Sequence, residues 1–147
     1  MQVDFYHLVA SPLESVLPRI AERIVEGGGR LLIVSADDVR LARLDAHLWS
    51  YAPTSFLPHS RAGAGDDGAQ PILLAPPGPG AANDARNIAL IDGEWRDEAL
   101  AFDRAFHFFD EEGILAARLA WKALGDREGV ERRYWKQDDD GKWSRFA

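Results

Sequence analysis

Apolar residues along this chain keep two rhythms, one suited to strands and one to helices. Val3 to Val9, reading VDFYHLV, is rich in β-formers and predicts a first strand, closed by Ser11-Pro12. From Leu13 to Glu26 the apolar positions Leu13, Val16, Leu17, Ile20, Ala21, Ile24 and Val25 recur at helical spacing and predict an amphipathic helix. Pro18 leaves its start open, because proline is best tolerated in a first turn. Gly27-Gly28-Gly29 ends it by supplying a left-handed cap. Arg30 to Ser35, RLLIVS, is a continuous apolar run of the kind buried on both faces of a parallel sheet. The result is a strand–helix–strand unit whose crossover is expected to be right-handed.

Ser35 is placed to cap the next helix, with Asp37 and Asp38 in its first turn near the positive end of the dipole. Leu44, Leu48 and Trp49 complete an apolar face on that helix, and Pro53 ends it. Phe56 and Leu57 form an apolar knot between prolines. Pro58-His59 then leads into Arg61 to Gly65, a stretch too glycine-rich for a helix or a central strand. Pro71 to Ala75 and Asn87 to Ile91 read as strands, separated by PPGPGAANDAR, which holds no regular structure. Asp97 to Phe102 reads as one or two helical turns and Arg104 to Phe109 as a strand. Asp110 caps a helix running from about Glu111 to Gly125. Around Asp140-Gly141 the tail YWKQDDDGKWSRF signals a hairpin. Helices alternating with strands predict an α/β fold: a layered, mainly parallel central sheet with helices packed on it, Rossmann-like in topology, with a C-terminal hairpin.

Composition narrows this picture. The 147 residues fit one domain, 1–147, with a core of its own, and 46% apolar with 28% charged residues are the proportions of a soluble globular protein. No run approaches the roughly 18 apolar residues of a membrane span. Asp4 and His7 interrupt the N-terminal apolar run before a signal-peptide core forms. The absence of cysteine excludes disulfides, thiolate metal sites and cysteine nucleophiles, and suits a reducing cytoplasm. A formal charge of −7 argues against coating nucleic acid, so contact with DNA is expected to be indirect only. The segment from Arg127 to Arg145, with Arg132, Arg133, Lys136 and Lys142, is richer in bases and allows a local basic patch.

Candidate chemistry is sparse. There is no GxxxxGK[ST], Gly27 to Gly29 follow a helix rather than a strand, and Gly78-Pro79-Gly80 offers a proline where amide donors are needed, so no nucleotide site is expected. His7, His47, His59 and His107 lack metal-ligand spacing, and His59 after Pro58 suits a turn. No catalytic, cofactor or metal residue is assigned. The alternative is a small α/β hydrolase or nucleotide-binding enzyme that uses His59 and the glycine loops. One helix stands out, since Arg118, Trp121 and Lys122 are three and four apart and share a face. Two readings stay open there. The bases take the carboxylates of an acidic peptide while apolar surface beside the tryptophan takes its ring, or Trp121 is core and the bases lie along it.

The pattern Leu44, Asp45, Leu48, Trp49, Pro53, Ser55, Phe56, Pro58, His59, Ala62, Gly63, Gly65 resembles the most recognisable segment of the chi subunit of bacterial DNA polymerase III. The opening DFYHL, the GGGRLLIVS stretch, Ala117-Arg118 with Trp121-Lys122-Ala123, and the tail YWKQDDDGKW extend the likeness over nearly the whole length. The resemblance implies a cytoplasmic, non-catalytic accessory subunit of the holoenzyme, without cofactor. It would link the clamp loader to single-stranded DNA-binding protein by holding that protein's acidic C-terminal tail at Arg118, Trp121 and Lys122. It also implies a second docking surface at Trp49 and Phe56, for a psi subunit or a repair-type helicase.

Overall fold

In a computed structural model the chain is described over residues 1–51 and 57–147. Eight strands form one sheet: β1 (Gln2–His7), β2 (Leu31–Val34), β3 (His59–Arg61), β4 (Ile72–Ala75), β5 (Asn87–Leu90), β6 (Arg104–Phe109), β7 (Glu131–Gln137) and β8 (Trp143–Arg145). Their order is β3-β4-β2-β5-β6-β1-β7-β8, and every pairing is parallel except the terminal β7–β8 hairpin. Among the described residues three α-helices cover it: α1 (Leu13–Glu26), α2 (Asp38–Ser50) and α3 (Ile114–Gly125). The expected mainly parallel α/β architecture with a C-terminal hairpin is therefore the one observed.

Side chains alternate across the strands, and each face builds its own core. On one face Val3, Phe5, Ile88, Leu90, Ala105 and Phe109 pack with Ala117, Ala120 and Leu124 of α3. On the other, Ile33, Leu74, Phe106 and Phe108 pack with Leu13, Leu17 and Ala21 of α1 and with Leu41, Leu44 and Leu48 of α2. The sheet is thus sandwiched, with two helices on one side and one on the other.

Several local expectations are revised. Helix α1 spans Leu13–Glu26 as predicted but keeps Pro18 in its interior, where the ring is buried. Asp37, not Ser35, caps α2, because its carboxylate reaches the amides of Val39 and Arg40 at 3.0 and 3.3 Å. Ser35 Oγ instead accepts from the Asp37 amide at 3.0 Å and shapes the approach to the helix. His59–Arg61, read as part of a loop, is an edge strand paired with β4. A strand at the sheet edge needs only one partner, so three residues ahead of glycine suffice.

Candidate partner-binding sites

Helix α3 starts from Asp110, whose carboxylate accepts from the amides of Glu112 and Gly113 at 3.0 and 3.3 Å and leads through a short 3-10 turn into the helix. With Ala117, Ala120 and Leu124 buried against the sheet, the neighbouring stripe faces water. It holds Leu115, Arg118, Leu119 and Lys122, spaced three and four apart, and both leucines are 71% exposed. Exposed leucines alternating with two cations form an amphipathic strip whose chemistry suits carboxylates and an apolar side chain together.

Trp121, for which the spacing leaves two readings open, lies at the margin between the strip and the sheet. It is half-buried, with its ring edge-on to Phe5 at 5.3 Å and to Tyr134 at 5.7 Å. The guanidinium of Arg132 sits 4.2 Å from the centroid of the same ring and donates to the Trp121 carbonyl at 2.5 Å. Arg132 thereby stacks over the ring and adds a hydrogen bond to the last turns of α3. Gly125 makes room for it, since a Cβ there would lie 2.8 Å from the guanidinium. The structure therefore brings Arg118 and Lys122 together on the exposed strip and turns Trp121 toward the sheet. The physical reason is position: Trp121 is four residues from Ala117 and three from Leu124, at the margin of the buried stripe, where its large ring gains most from packing.

Sequence reasoning missed Leu115 and Leu119, although their spacing with Arg118 and Lys122 was a usable signal. It named Arg132 only within a basic segment and did not place it or Tyr134 beside α3, which they reach because β7 lies beside β1. Burial raises the pKa of the Tyr134 hydroxyl, and the charge of Arg118 pulls it the other way, so the two groups are within electrostatic reach. Phe146, 72% exposed, stands with its ring 5.7 Å from that of Tyr134. The basic segment is otherwise largely engaged internally, with Arg127 paired to Asp97 and Arg133 to Glu131, both at 3.1 Å.

The end of α2 is built differently. Leu44 and Leu48 are buried, but Trp49 is 61% exposed, because one residue further on a helix turns about 100° away from the buried face. Its ring centroid lies 4.6 Å from that of His59. His59 is buried, with Nδ1 2.6 Å from the Leu57 carbonyl, while Nε2 stands 3.2 Å from the Asp45 carbonyl and 3.3 Å from its carboxylate. Both nitrogens are engaged, so His59 fastens the chain after Leu57 to α2 and has no free nitrogen to act as a general base. Phe56, the second residue expected on this surface, lies outside the described residues.

His7 and His107 are also buried, on β1 and β6. His7 Nε2 lies 2.9 Å from the Glu111 carboxylate, without hydrogen-bond geometry. Neither nitrogen of His107 has a hydrogen-bond partner among the described residues, and its ring packs edge-on to Phe5 and Trp95. Burial drives its pKa down to about 4, which keeps the ring neutral near pH 7. Among the described residues no group of histidine, aspartate and glutamate is arranged to hold a metal ion.

These features define a Rossmann-like α/β protein whose exposed chemistry suits binding partners rather than turnover. Among solved structures it is similar to the C-terminal domain of Saccharomyces cerevisiae Dbp5, determined bound to Gle1 and IP6, with a TM-score of 0.53 over 88% of each chain at 13% identity, a likeness of fold alone. Residues 1–131 match the family described as DNA polymerase III chi subunit, HolC. The DNA polymerase III subunit chi of Escherichia coli is 31% identical over 115 residues, 77% of this chain and 78% of that one. The subunit chi of Pseudomonas aeruginosa is 32% identical over 83 residues, 52% of this chain and 57% of that one. The chain belongs to the DNA polymerase III chi subunit family. That membership makes it an accessory replication protein rather than an enzyme with a catalytic site of its own, and sets aside the hydrolase alternative.

Proposed function

We propose that this protein is a cytoplasmic adaptor that links the clamp loader of DNA polymerase III to single-stranded DNA-binding protein by holding the latter's acidic C-terminal tail. The carrying observation is the α3 strip, where exposed Arg118 and Lys122 alternate with Leu115 and Leu119, each 71% exposed. Arg118 and Lys122 take the carboxylates of the tail, and the leucines with Phe146 take its apolar end. Trp121 and Arg132 hold the helix end in place beneath them. A second surface centred on Trp49 and Phe56 docks a psi subunit or a repair-type helicase, and chain 1–147 acts as one domain. Tethering at two surfaces gives a weak tail contact a high effective concentration. No helix among the described residues is long and apolar enough to cross a membrane, which agrees with this role.

Retention on immobilised single-stranded DNA tests the reading. At physiological salt the protein is expected to stay on strands coated with the binding protein and to wash off strands coated with a tail-less form. Bare strands should hold it weakly or not at all, because a net charge of −7 repels a polyanion. Submicromolar binding to a bare oligonucleotide would refute indirect recruitment.

A further inference from the structure

On the sheet face opposite α3, a cavity of about 480 Å³ opens between α1 and the β7–β8 hairpin. Tyr6, Arg19, Arg23, Arg104, Trp135 and Trp143 line it, and no carboxylate does, although the protein as a whole is acidic. Arg19 and Arg23 are exposed, one helical turn apart on α1, and neither has an ion-pair partner among the described residues. Like charges at this spacing repel each other, and an anion held between them would relieve that repulsion. Arg104 is tied at 2.9 Å to Asp4, which is fully buried and also accepts from the Trp135 indole at 3.0 Å.

Two further features make this a formed groove rather than a chance gap. Gln137, 2% exposed, accepts from the amides of Val9, Ala10 and Ser11 and donates to the Gly141 carbonyl. One side chain thus fixes the loop before α1 to the hairpin and sets the spacing of the two walls. At the base of the groove the Tyr6 hydroxyl has its pKa pushed up to about 12, by burial first and Asp4 second, against the pull of Arg104, Arg23 and Arg133. Arg23 and Arg104 line the groove with Tyr6, whose hydroxyl has no hydrogen-bond partner among the described residues.

We propose that this groove is a second partner-binding site, which takes an acidic peptide segment carrying one large apolar side chain. The carboxylates would sit on Arg19, Arg23 and the Tyr6 hydroxyl. The apolar side chain would lie between Val16 and Ile20 of α1 and the indole of Trp143, all of which line the cavity. Planar guanidiniums grip carboxylates bidentately, which accounts for arginine rather than lysine at these positions. A peptide fits better than a nucleic-acid strand because the cations are confined to one concavity and form no track along a backbone. This site stands whether or not the α3 strip binds a tail, since the two lie on opposite faces of the sheet.

Titration of the full chain, watched by amide and indole NMR, with a short blocked peptide in which aspartates flank one phenylalanine tests the inference. Saturable shifts are expected at the Trp143 indole and the amides of Ser11 and Ser15. The double variant Arg19→Glu/Arg23→Glu should weaken that binding about tenfold or more, the scale of a lost charge-assisted hydrogen bond, and Lys122→Glu should leave it unchanged. Arg19→Gln/Arg23→Gln serves if charge reversal disturbs α1. No shift in the groove, shifts indifferent to both double variants, or oligothymidylate moving the same resonances at lower concentration than the peptide would each overturn the proposal.

Discussion

Trp49 and Trp121 both sit near helix C-termini, yet their surroundings are opposite. Trp121 is half-buried, held between Arg132 above and the rings of Phe5 and Tyr134 at its edges. Trp49 is 61% exposed and meets His59. A ring packed on one side against the sheet has less surface to offer a partner than one left largely in solvent. On the proposed reading, the α3 site would work chiefly through the cations and leucines outside Trp121, whereas the α2 site would present the more exposed ring.

The largest effect expected from this contrast is on stability. Trp121→Ala should cost about 3 kcal/mol in chemical denaturation, the lower end of the range for a large core aromatic, because the ring is only half-buried. Trp49→Ala should cost about 1 kcal/mol or less. Equal losses at the two positions would erase the distinction.

Close behind is the response to acid of the aromatic core beneath α3. Burial holds the folded pKa of His107 at about 4 against the ordinary 6.5 of histidine, so the unfolded chain binds the proton more readily. The contribution of neutral His107 is therefore complete above pH 6.5 and is lost as the pH falls from 6.5 through 4, amounting to about 3 kcal/mol. Denaturation of the protein and of His107→Leu across that range should show the variant with the shallower acid loss. Parallel curves would mean that water reaches the ring.

For the α2 surface the expected change is in association. Trp49→Ala should weaken docking of the psi subunit or helicase by about 2 kcal/mol or more, as truncation of an aromatic anchor does. Surface plasmon resonance with the partner immobilised reads it directly. The smallest effect concerns the helix that carries this ring: Asp37→Ala should lower stability by about 1 kcal/mol through loss of the cap on Val39 and Arg40. Ser35→Ala, which leaves those two bonds intact, should cost less in the same denaturation experiment.

What was legible in the sequence follows from where each signal resides. The bounds of α1 were written locally, in a helical apolar spacing stopped by glycines, and so were β6 and the hairpin around Gly141. Exposure at Trp49 was also legible in principle, as one step past Leu48 on the helix. The packing of Trp121 was not, because it depends on Arg132 and Tyr134, which β7 delivers from further along the chain. The strand at His59–Arg61 was hidden for a similar reason, since its stability comes from pairing with β4 rather than from its own residues. Gln137 gave no sequence sign of the three amides it gathers.

Calorimetric titration with a peptide copy of the acidic tail of single-stranded DNA-binding protein, on Lys122→Glu and Trp49→Ala side by side, tests the central claim most directly. The account predicts that Lys122→Glu, with its fold intact by circular dichroism, loses about 1.5–3 kcal/mol at the tighter site, while Trp49→Ala binds as the unaltered protein does. Unchanged affinity in Lys122→Glu, or a loss of comparable size in Trp49→Ala, would contradict it.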